Sequence, residues 1–317
     1  MIAVNPSVLM RRAILAAARS GSIRSAVVAA PGTRSIVRRF VAGQELPEAV
    51  RVARDLACRG LHVSLDHLGE DTTDRADAAT MRDACTAALD ALGGAGLTGR
   101  AEISVKLSSL GQALRPDGAK IALDNARQIC EVAARHATTI TLDMEDHTTT
   151  DATLETLREL RADFSWVGAV LQAYLHRTLS DARELSGPGS RVRLCKGAYR
   201  EPPSVAISDP AEVDRNYVRC LRVLMEGQGR PMVATHDPRL ISIAGHLAAA
   251  AGRGAREFEY QMLHGVRPEE QRRLADTGAT VRVYVPFGEQ WYPYLMRRLA
   301  ERPANVAFFA RAVLTKG

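Results

Sequence analysis

The sequence predicts an α/β fold, namely a (β/α)8 barrel of the TIM type preceded by an N-terminal helical arm. Two patterns predict it: eight short β-rich runs recur along the chain, and segments with helical periodicity separate them. A chain of 317 residues with 46% hydrophobic content can supply a core of that size. An open doubly wound sheet is the alternative, but no Gly-x-Gly-x-x-Gly motif follows the first run.

Residues 1–44 contain seven arginines and no lysine, aspartate or glutamate, so this arm accounts for the net charge of +6. The basic charge leaves open an organellar targeting peptide, a nucleic-acid-binding arm or a surface that rests on anionic lipid. Apolar residues at helical spacing, such as Ile36, Val37 and Phe40, favour an amphipathic helical cap on the main domain. We therefore expect an arm at 1–58 and a catalytic barrel domain at 59–317.

The elements follow in a regular order. After a first helix at 47–59, the predicted strands are 61–68, 101–107, 139–144, 166–171, 192–195, 232–235, 257–262 and 280–285. The helices predicted after them are 80–92, 119–136, 152–161, 181–185, 209–228, 238–251 and 268–275. A last helix is expected to begin at Pro293 and to end at Pro303, because proline suits a first turn and interrupts a helix interior.

Composition excludes several classes of protein. No run of eighteen apolar residues occurs, so no transmembrane helix is expected. The five cysteines are far apart and include no Cys-x-x-Cys pair, which argues against a disulfide framework and a structural zinc site. A reducing cytoplasm is the expected location.

The last predicted helix brings two cations together. At about 100° per residue, Arg297 and Arg298 share a face with Tyr294 and Glu301. Glu301 lies four and three residues beyond the two arginines and is expected to orient both. The remaining N–H donors suit a carboxylate or a phosphate, whereas a solvated basic face is the simpler alternative.

Polar side chains follow the second to the eighth predicted strands. Catalytic groups of a barrel gather at the carboxyl ends of its strands, so these side chains predict a functional site. The run Asp143, Glu145, Asp146 and His147 has the composition of metal ligands. No His-x-His motif accompanies it, and alternation sends these side chains in different directions, so a metal is not favoured.

These strand ends resemble the successive motifs of the proline dehydrogenase family, in order and over seven strands. The resemblance runs from about residue 61 to 305 and rests on 103–108, 143–146, 171–174, 193–199, 234–236, 261–263 and 284–305. It implies a flavoenzyme on a distorted barrel that oxidises L-proline to Δ1-pyrroline-5-carboxylate, with FAD as hydride acceptor. Arg200, Asp237 and His264 differ from residues common in the family.

The resemblance also implies roles for individual residues. Arg297, Arg298 and Lys106 would hold the proline carboxylate, and Asp143 would organise that side of the pocket. Arg193 would lie against the reactive nitrogen of the flavin. Tyr199, Leu263 and Tyr284 would enclose the proline ring. The residues expected to line the cofactor are Met144, Gln172, Lys196, Gly197, Ala198, Thr235 and His236, with Tyr294 and Glu301 in support.

Two other classes of function remain open. A lyase or aldolase on the same barrel would use Lys196 or Lys106 to form a Schiff base. A non-enzymatic lipid- or nucleic-acid-binding module would rely on the basic arm. For the enzyme, the family suggests a membrane quinone as electron acceptor. The basic arm leaves open peripheral contact with the inner face of the cell membrane, and no nucleic-acid partner is expected. The chain lacks the aldehyde dehydrogenase and DNA-binding portions of bifunctional relatives, so a monofunctional member is expected.

Overall fold

The computed structural model describes residues 33–69 and 72–301. Eight parallel strands close into a barrel in chain order, because each strand pairs with the next and the eighth pairs with the first. They are β1 (His62–His67), β2 (Ala101–Val105), β3 (Ile140–Leu142), β4 (Gly168–Gln172), β5 (Arg191–Cys195), β6 (Arg230–Ala234), β7 (Glu259–Leu263) and β8 (Val281–Phe287). The predicted barrel is confirmed, and each predicted strand boundary agrees within two residues.

Helices surround the barrel. They are α1 (Thr33–Phe40), α2 (Leu46–Cys58), α3 (Arg75–Gly94), α4 (Gly118–Arg135), α5 (Thr150–Asp163), α6 (Thr178–Glu184), α7 (Pro210–Glu226), α8 (Pro238–Ala250), α9 (Pro268–Asp276) and α10 (Trp291–Glu301). Two short 3-10 helices, Ser108–Leu110 and His147–Thr149, follow β2 and β3. The α-helices pack their apolar faces on the strands. In α7, for example, Tyr217, Leu221 and Leu224 are buried at helical spacing. Each such side chain contributes about 1.5–3 kcal/mol through burial.

Several helices begin earlier than the sequence predicts, and two of them show why. The carboxylate of Asp74 accepts a hydrogen bond from the backbone N–H of Asp77, and this N-cap starts α3 five residues before the predicted start. The last helix begins at Trp291, so Pro293 is its third residue. Proline fits there because the first turn of a helix needs no intrahelical N–H donor.

The end of the predicted arm packs against the last helix. Phe40 and Val41 are buried with Trp291, Leu295 and Met296 in one apolar cluster. The backbone after α1 also bonds to the end of β8, because the N–H of Ala42 donates to the carbonyl of Pro286. Helix α2 instead buries its apolar face in the main core. Residues 1–32 lie outside the described residues, and the boundary at residue 58 stays a prediction.

The interior of the barrel is charged. Glu102 and Glu259 are fully buried, and alternation along the strands directs them inward with Arg191 and Arg282. Glu102 pairs with Arg191 at 2.5 Å, and Glu259 pairs with Arg282 at 2.7 Å. Barrels of this type are usually filled with branched apolar side chains. These ion pairs therefore form a polar floor beneath the carboxyl ends of the strands.

Candidate active site

Three side chains from three strands meet at the mouth of the barrel. Asp143 follows β3, and its two carboxylate oxygens accept hydrogen bonds from different donors. Arg193 Nη1 of β5 donates at 2.6 Å, and the hydroxyl of Tyr284 in β8 donates at 2.7 Å. The Arg193 guanidinium carbon also lies 5.2 Å from the centre of the Tyr284 ring. The structure thus joins three residues that the sequence singled out.

Arg193 is held from below as well. Its Nε donates to the side-chain oxygen of Gln261, and its Nη2 donates to the hydroxyl of Ser104 at 3.0 Å. The amide nitrogen of Gln261 donates in turn to Glu259 at 2.6 Å. This bond fixes which side of the Gln261 amide faces the arginine. Arg193 therefore has one orientation, with its charge directed toward the mouth and toward Asp143.

Lys106 pairs mainly with a residue that sequence reasoning missed. Its Nζ lies 2.6 Å from Oδ1 of Asp66 and 3.8 Å from Oδ2 of Asp143. Asp66 comes from the end of β1, the one strand end for which no site residue was predicted. Its side chain is 3% exposed. The strand period could have identified it, because Ser64 and Asp66 are successive inward positions of β1.

Burial and the neighbouring charges act in opposite directions on the pKa of Asp143. Burial raises the pKa of Asp143, while Arg193 and Lys106 oppose that rise. The hydrogen bond from Tyr284 also lowers the pKa of this carboxyl group. Burial raises the pKa of Tyr284 well above its usual value, so its hydroxyl stays a donor. For Asp143, burial outweighs the two cations and this hydroxyl, so the pKa of its carboxyl group lies above the usual value.

The loop after β5 lies on one side of the mouth. Gly197 has a φ of +108°, and a Cβ there would come within 2.2 Å of the ring of Tyr174. Lys196 Nζ lies 2.5 Å from Asp214 and 3.4 Å from Asp237. Ala198 and Tyr199 are exposed, the tyrosine to 42%. The loop therefore presents backbone and one aromatic ring toward solvent.

The remaining predicted cofactor residues occupy neighbouring strand ends. The side-chain amide of Gln172, at the end of β4, donates to the carbonyl of Glu145 at 2.7 Å. The hydroxyl of Thr235 accepts from the N–H of Asp237, and Nε2 of His236 accepts from the N–H of Leu263 at 2.9 Å. Met144 is buried after β3. The structure thus distributes these residues over the rim from β3 to β7.

Helix α10 lies across the same rim. Its apolar side packs on Leu68, which follows β1, and on Val266, which follows β7. Arg297 and Arg298 are half-buried on this helix, and the Arg298 guanidinium lies 5.4 Å from the ring centre of Tyr294. Glu301 is the last residue of α10, but its side chain lies outside the described residues. Its predicted role as a brace for the two arginines stays a prediction.

The acidic run after β3 has separate partners. Glu145 accepts from the N–H and hydroxyl of Ser108, and Asp146 caps the 3-10 helix by accepting from the N–H of Thr148. His147 contacts Glu201. Among residues 33–69 and 72–301, no group of three or more His, Cys, Asp or Glu side chains has the arrangement of a metal site.

The same ranges contain no helix that is both long and apolar enough to cross a membrane.

The chain is similar to known proteins over most of its length. The family model described as proline dehydrogenase matches residues 49–311. The chain is 39% identical to a proline dehydrogenase of Deinococcus radiodurans, over 96% of this chain and 98% of that protein. It is 38% identical to proline dehydrogenase 1 of Bacillus subtilis strain 168, over 90% of this chain and 93% of that protein.

Solved structures of larger proteins share the fold. Proline utilization A from Bdellovibrio bacteriovorus, inactivated by N-propargylglycine, has a TM-score of 0.79 at 23% identity. The match covers 93% of this chain but only 37% of that protein. The Bradyrhizobium japonicum protein of the same name, in its D779W mutant, has a TM-score of 0.73 at 26% identity, over 90% of this chain and 32% of that chain. On the family model and on relatives matched over nearly their whole length, the chain belongs to the proline dehydrogenase family.

Proposed function

We propose that this chain is an FAD-dependent proline dehydrogenase that oxidises L-proline to Δ1-pyrroline-5-carboxylate, the first step of proline catabolism. The family implies a flavin cofactor. The observation that carries the proposal is the buried Arg193, which Asp143 and Gln261 aim at the barrel mouth beneath the arginine-bearing helix α10. A fixed cation at that point suits a reaction in which negative charge develops on a bound ring system.

The rim of the barrel fits a flavin. The ring of Tyr174 fills the space that a side chain at Gly197 would need, so the backbone of this loop lies close against the barrel rim. Gln172, Lys196, Thr235 and His236 supply polar groups on adjacent strand ends, with Met144 and Ala198 as apolar neighbours. We propose that these residues hold FAD. When bound, the flavin supplies the hydride acceptor that the side chains of this protein lack.

The residues of the chain then bind and orient the substrate. The guanidinium groups of Arg297 and Arg298, helped by Lys106, hold the proline carboxylate through charge-assisted hydrogen bonds. Tyr284, Leu263 and Tyr199 enclose the ring and exclude water from the reacting carbon. Asp143 keeps Arg193 and Tyr284 in place through its two carboxylate oxygens. Arg193 keeps its positive charge beside the site where negative charge develops.

The lysine chemistry of a Schiff-base lyase is disfavoured by the ion pairs of both candidates. Lys106 lies 2.6 Å from Asp66, and Lys196 lies 2.5 Å from Asp214. Each amino group is therefore held by a carboxylate, whereas a Schiff-base lysine has to leave such a contact to attack a carbonyl carbon. Treatment with borohydride and substrate tests this alternative, because a covalent lysine adduct on a colourless protein would refute the flavin proposal.

Replacement of the arginine pair tests the substrate site. We expect Arg297→Met and Arg298→Met each to raise the KM for proline about 10- to 100-fold, because each loses charge-assisted hydrogen bonds to the carboxylate. Flavin content, measured from the absorbance of the purified protein, should change little. The matched control is Arg272→Met, an exposed arginine of α9. Normal proline binding by both variants would contradict the carboxylate clamp.

We also propose a quinone as electron acceptor, a cytoplasmic location and peripheral membrane contact. The family suggests the quinone, and all five cysteines are free thiols, as suits a reducing compartment. Arg38 and Arg39 are exposed on α1, and α1 packs beside α10 at the barrel mouth. If a quinone is the acceptor, a soluble quinone analogue should reoxidise the enzyme after proline has reduced it. Failure of the analogue to restore the absorbance of oxidised flavin would count against this acceptor.

A further inference from the structure

The loop after β5 is attached to the segment after β4 at both of its ends. At its start, the N–H of Tyr174 donates to the carbonyl of Lys196 at 2.8 Å. At its end, the N–H of Ile207 donates to the carbonyl of Tyr174 at 2.7 Å, and the N–H of His176 donates to the carbonyl of Val205 at 3.0 Å. The segment between these bonds carries Tyr199, which the proposed function places against the substrate ring. The two ends of this segment are therefore fixed to the barrel.

A buried carboxylate fixes the middle of the loop. The side chain of Glu201 is only 3% exposed. Its Oε1 accepts from the backbone N–H of His147 at 2.9 Å and from the hydroxyl of Tyr174 at 3.2 Å. Its Oε2 contacts Nδ1 of the His147 ring. Glu201 therefore joins the segments that follow β3, β4 and β5.

Hydrogen bonds from neighbouring segments offset the energetic cost of burying the Glu201 carboxylate. A buried carboxylate is costly unless hydrogen bonds satisfy it, and Glu201 receives them from two other strand ends. Burial raises the pKa of Tyr174, and the Glu201 carboxylate raises it further, so the tyrosine stays protonated and remains a donor. The same Tyr174 ring lies under Gly197. Contacts to Tyr174 thus bracket the residues Ala198, Tyr199 and Arg200.

We propose that Glu201 is a positioning residue that sets Tyr199 over the substrate ring by tying the loop after β5 to His147 and Tyr174. Only three residues separate Gly197 from Glu201, so the backbone of Tyr199 has little freedom while both contacts are intact. Loss of the Glu201 contacts frees one side of this short segment. The inference rests on the proposed function, because Tyr199 is given its role there.

The test compares Glu201→Ala with Tyr174→Phe. The first removes every contact of the carboxylate, and the second removes one hydroxyl while its ring stays under Gly197. We expect Glu201→Ala to raise the KM for proline on the order of tenfold and Tyr174→Phe about threefold, with kcat changed less than about twofold. The matched control is Glu212→Gln, a carboxylate of α7 that pairs with the exposed Arg215 and Arg219.

A double-mutant cycle separates positioning from general stability. In a Tyr199→Ala background, Glu201→Ala should change the KM less than about twofold, because the residue on which it acts is gone. A full KM effect in that background would overturn the proposal, as would an unchanged KM in both Glu201→Ala and Tyr174→Phe. Should Glu201→Ala not fold, the same cycle is run with Tyr174→Phe.

Hydrogen exchange keeps this inference distinct from the proposed function. A wild-type protein that does not oxidise proline would refute the proposed function. Even then, faster amide exchange of residues 198–201 in Glu201→Ala than in Glu212→Gln would support attachment of the loop through Glu201. Equal exchange in the two variants would overturn it.

Discussion

Gly197 offers the sharpest test of how the loop after β5 is packed. In Gly197→Ala the new methyl would lie 2.2, 2.3 and 2.6 Å from three atoms of the Tyr174 ring. The residue also has a φ of +108°, a conformation that costs alanine on the order of 1–3 kcal/mol. Forcing a methyl group into a packed site adds about 1–3 kcal/mol. We expect the free energy of unfolding to fall by about 2–6 kcal/mol, the sum of the two ranges.

A second glycine separates the two contributions. Gly189 has a φ of +71°, but no atom lies within 4 Å of a Cβ built there. Gly189→Ala should therefore lose only the backbone contribution, about 1–2 kcal/mol. The assay is urea unfolding of both variants without cofactor, followed by circular dichroism, together with titration of FAD. We expect weaker FAD binding in Gly197→Ala only, because the loop has to move away from Tyr174.

The decisive comparison repeats Gly197→Ala in a Tyr174→Ala background. There the added methyl has no ring to meet, so the loss of stability should shrink to the backbone contribution. An undiminished loss in that background would refute the steric reasoning. So would equal losses and unchanged FAD binding in Gly197→Ala and Gly189→Ala.

Two further predictions concern the buried charges. Tyr284→Phe removes a hydrogen bond that lowers the pKa of Asp143. The acidic limb of the plot of kcat/KM against pH should therefore move to higher pH, and activity should fall about tenfold. An acidic limb at unchanged pH would argue against a role for the Asp143 carboxylate. For Glu259, burial would raise the pKa, but Arg282 lowers it from 4.5 to about 2. This carboxylate thus contributes stability that is present above pH 4.5 and is lost as the pH falls toward 2. In urea unfolding at pH 7, Glu259→Gln should be less stable than the wild type by about 3–5 kcal/mol. This difference in the free energy of unfolding should become smaller in acid. A difference that does not depend on pH would contradict the contribution assigned to the Glu259 carboxylate.

The strands could be predicted because their signals are local. Runs of β-branched residues and the polar side chains after them mark each strand without knowledge of its neighbours. Closure of the barrel depends instead on pairing between the two ends of the chain, such as Ser64 with Tyr284, which no local pattern specifies. It was inferred from the number of strands and their alternation with helices, and the structure confirms it.

The charged interior was missed although the sequence contained a signal for it. Glu102 and Ser104 alternate along β2 and Lys106 follows directly, so the strand period sends all three to the same face. The residues predicted for the site were those at strand ends, which include Lys106 but not Glu102. The choice of partner could not be predicted in the same way. Lys106 lies nearer to Asp66 than to Asp143 by about an ångström, a difference that depends on side-chain geometry.

The chain of contacts from Arg282 through Glu259 and Gln261 to Arg193 limits how this barrel can be redesigned. In many proteins, exchange of a buried ion pair for well-packed apolar residues is neutral or stabilising. Here the same exchange would leave the Gln261 amide without the acceptor that fixes its orientation, and Arg193 would lose a defined partner. The interior would thus become more stable, but the Arg193 guanidinium at the mouth would no longer be held in one orientation. Stabilising substitutions in this enzyme are better directed to the exposed faces of the outer helices.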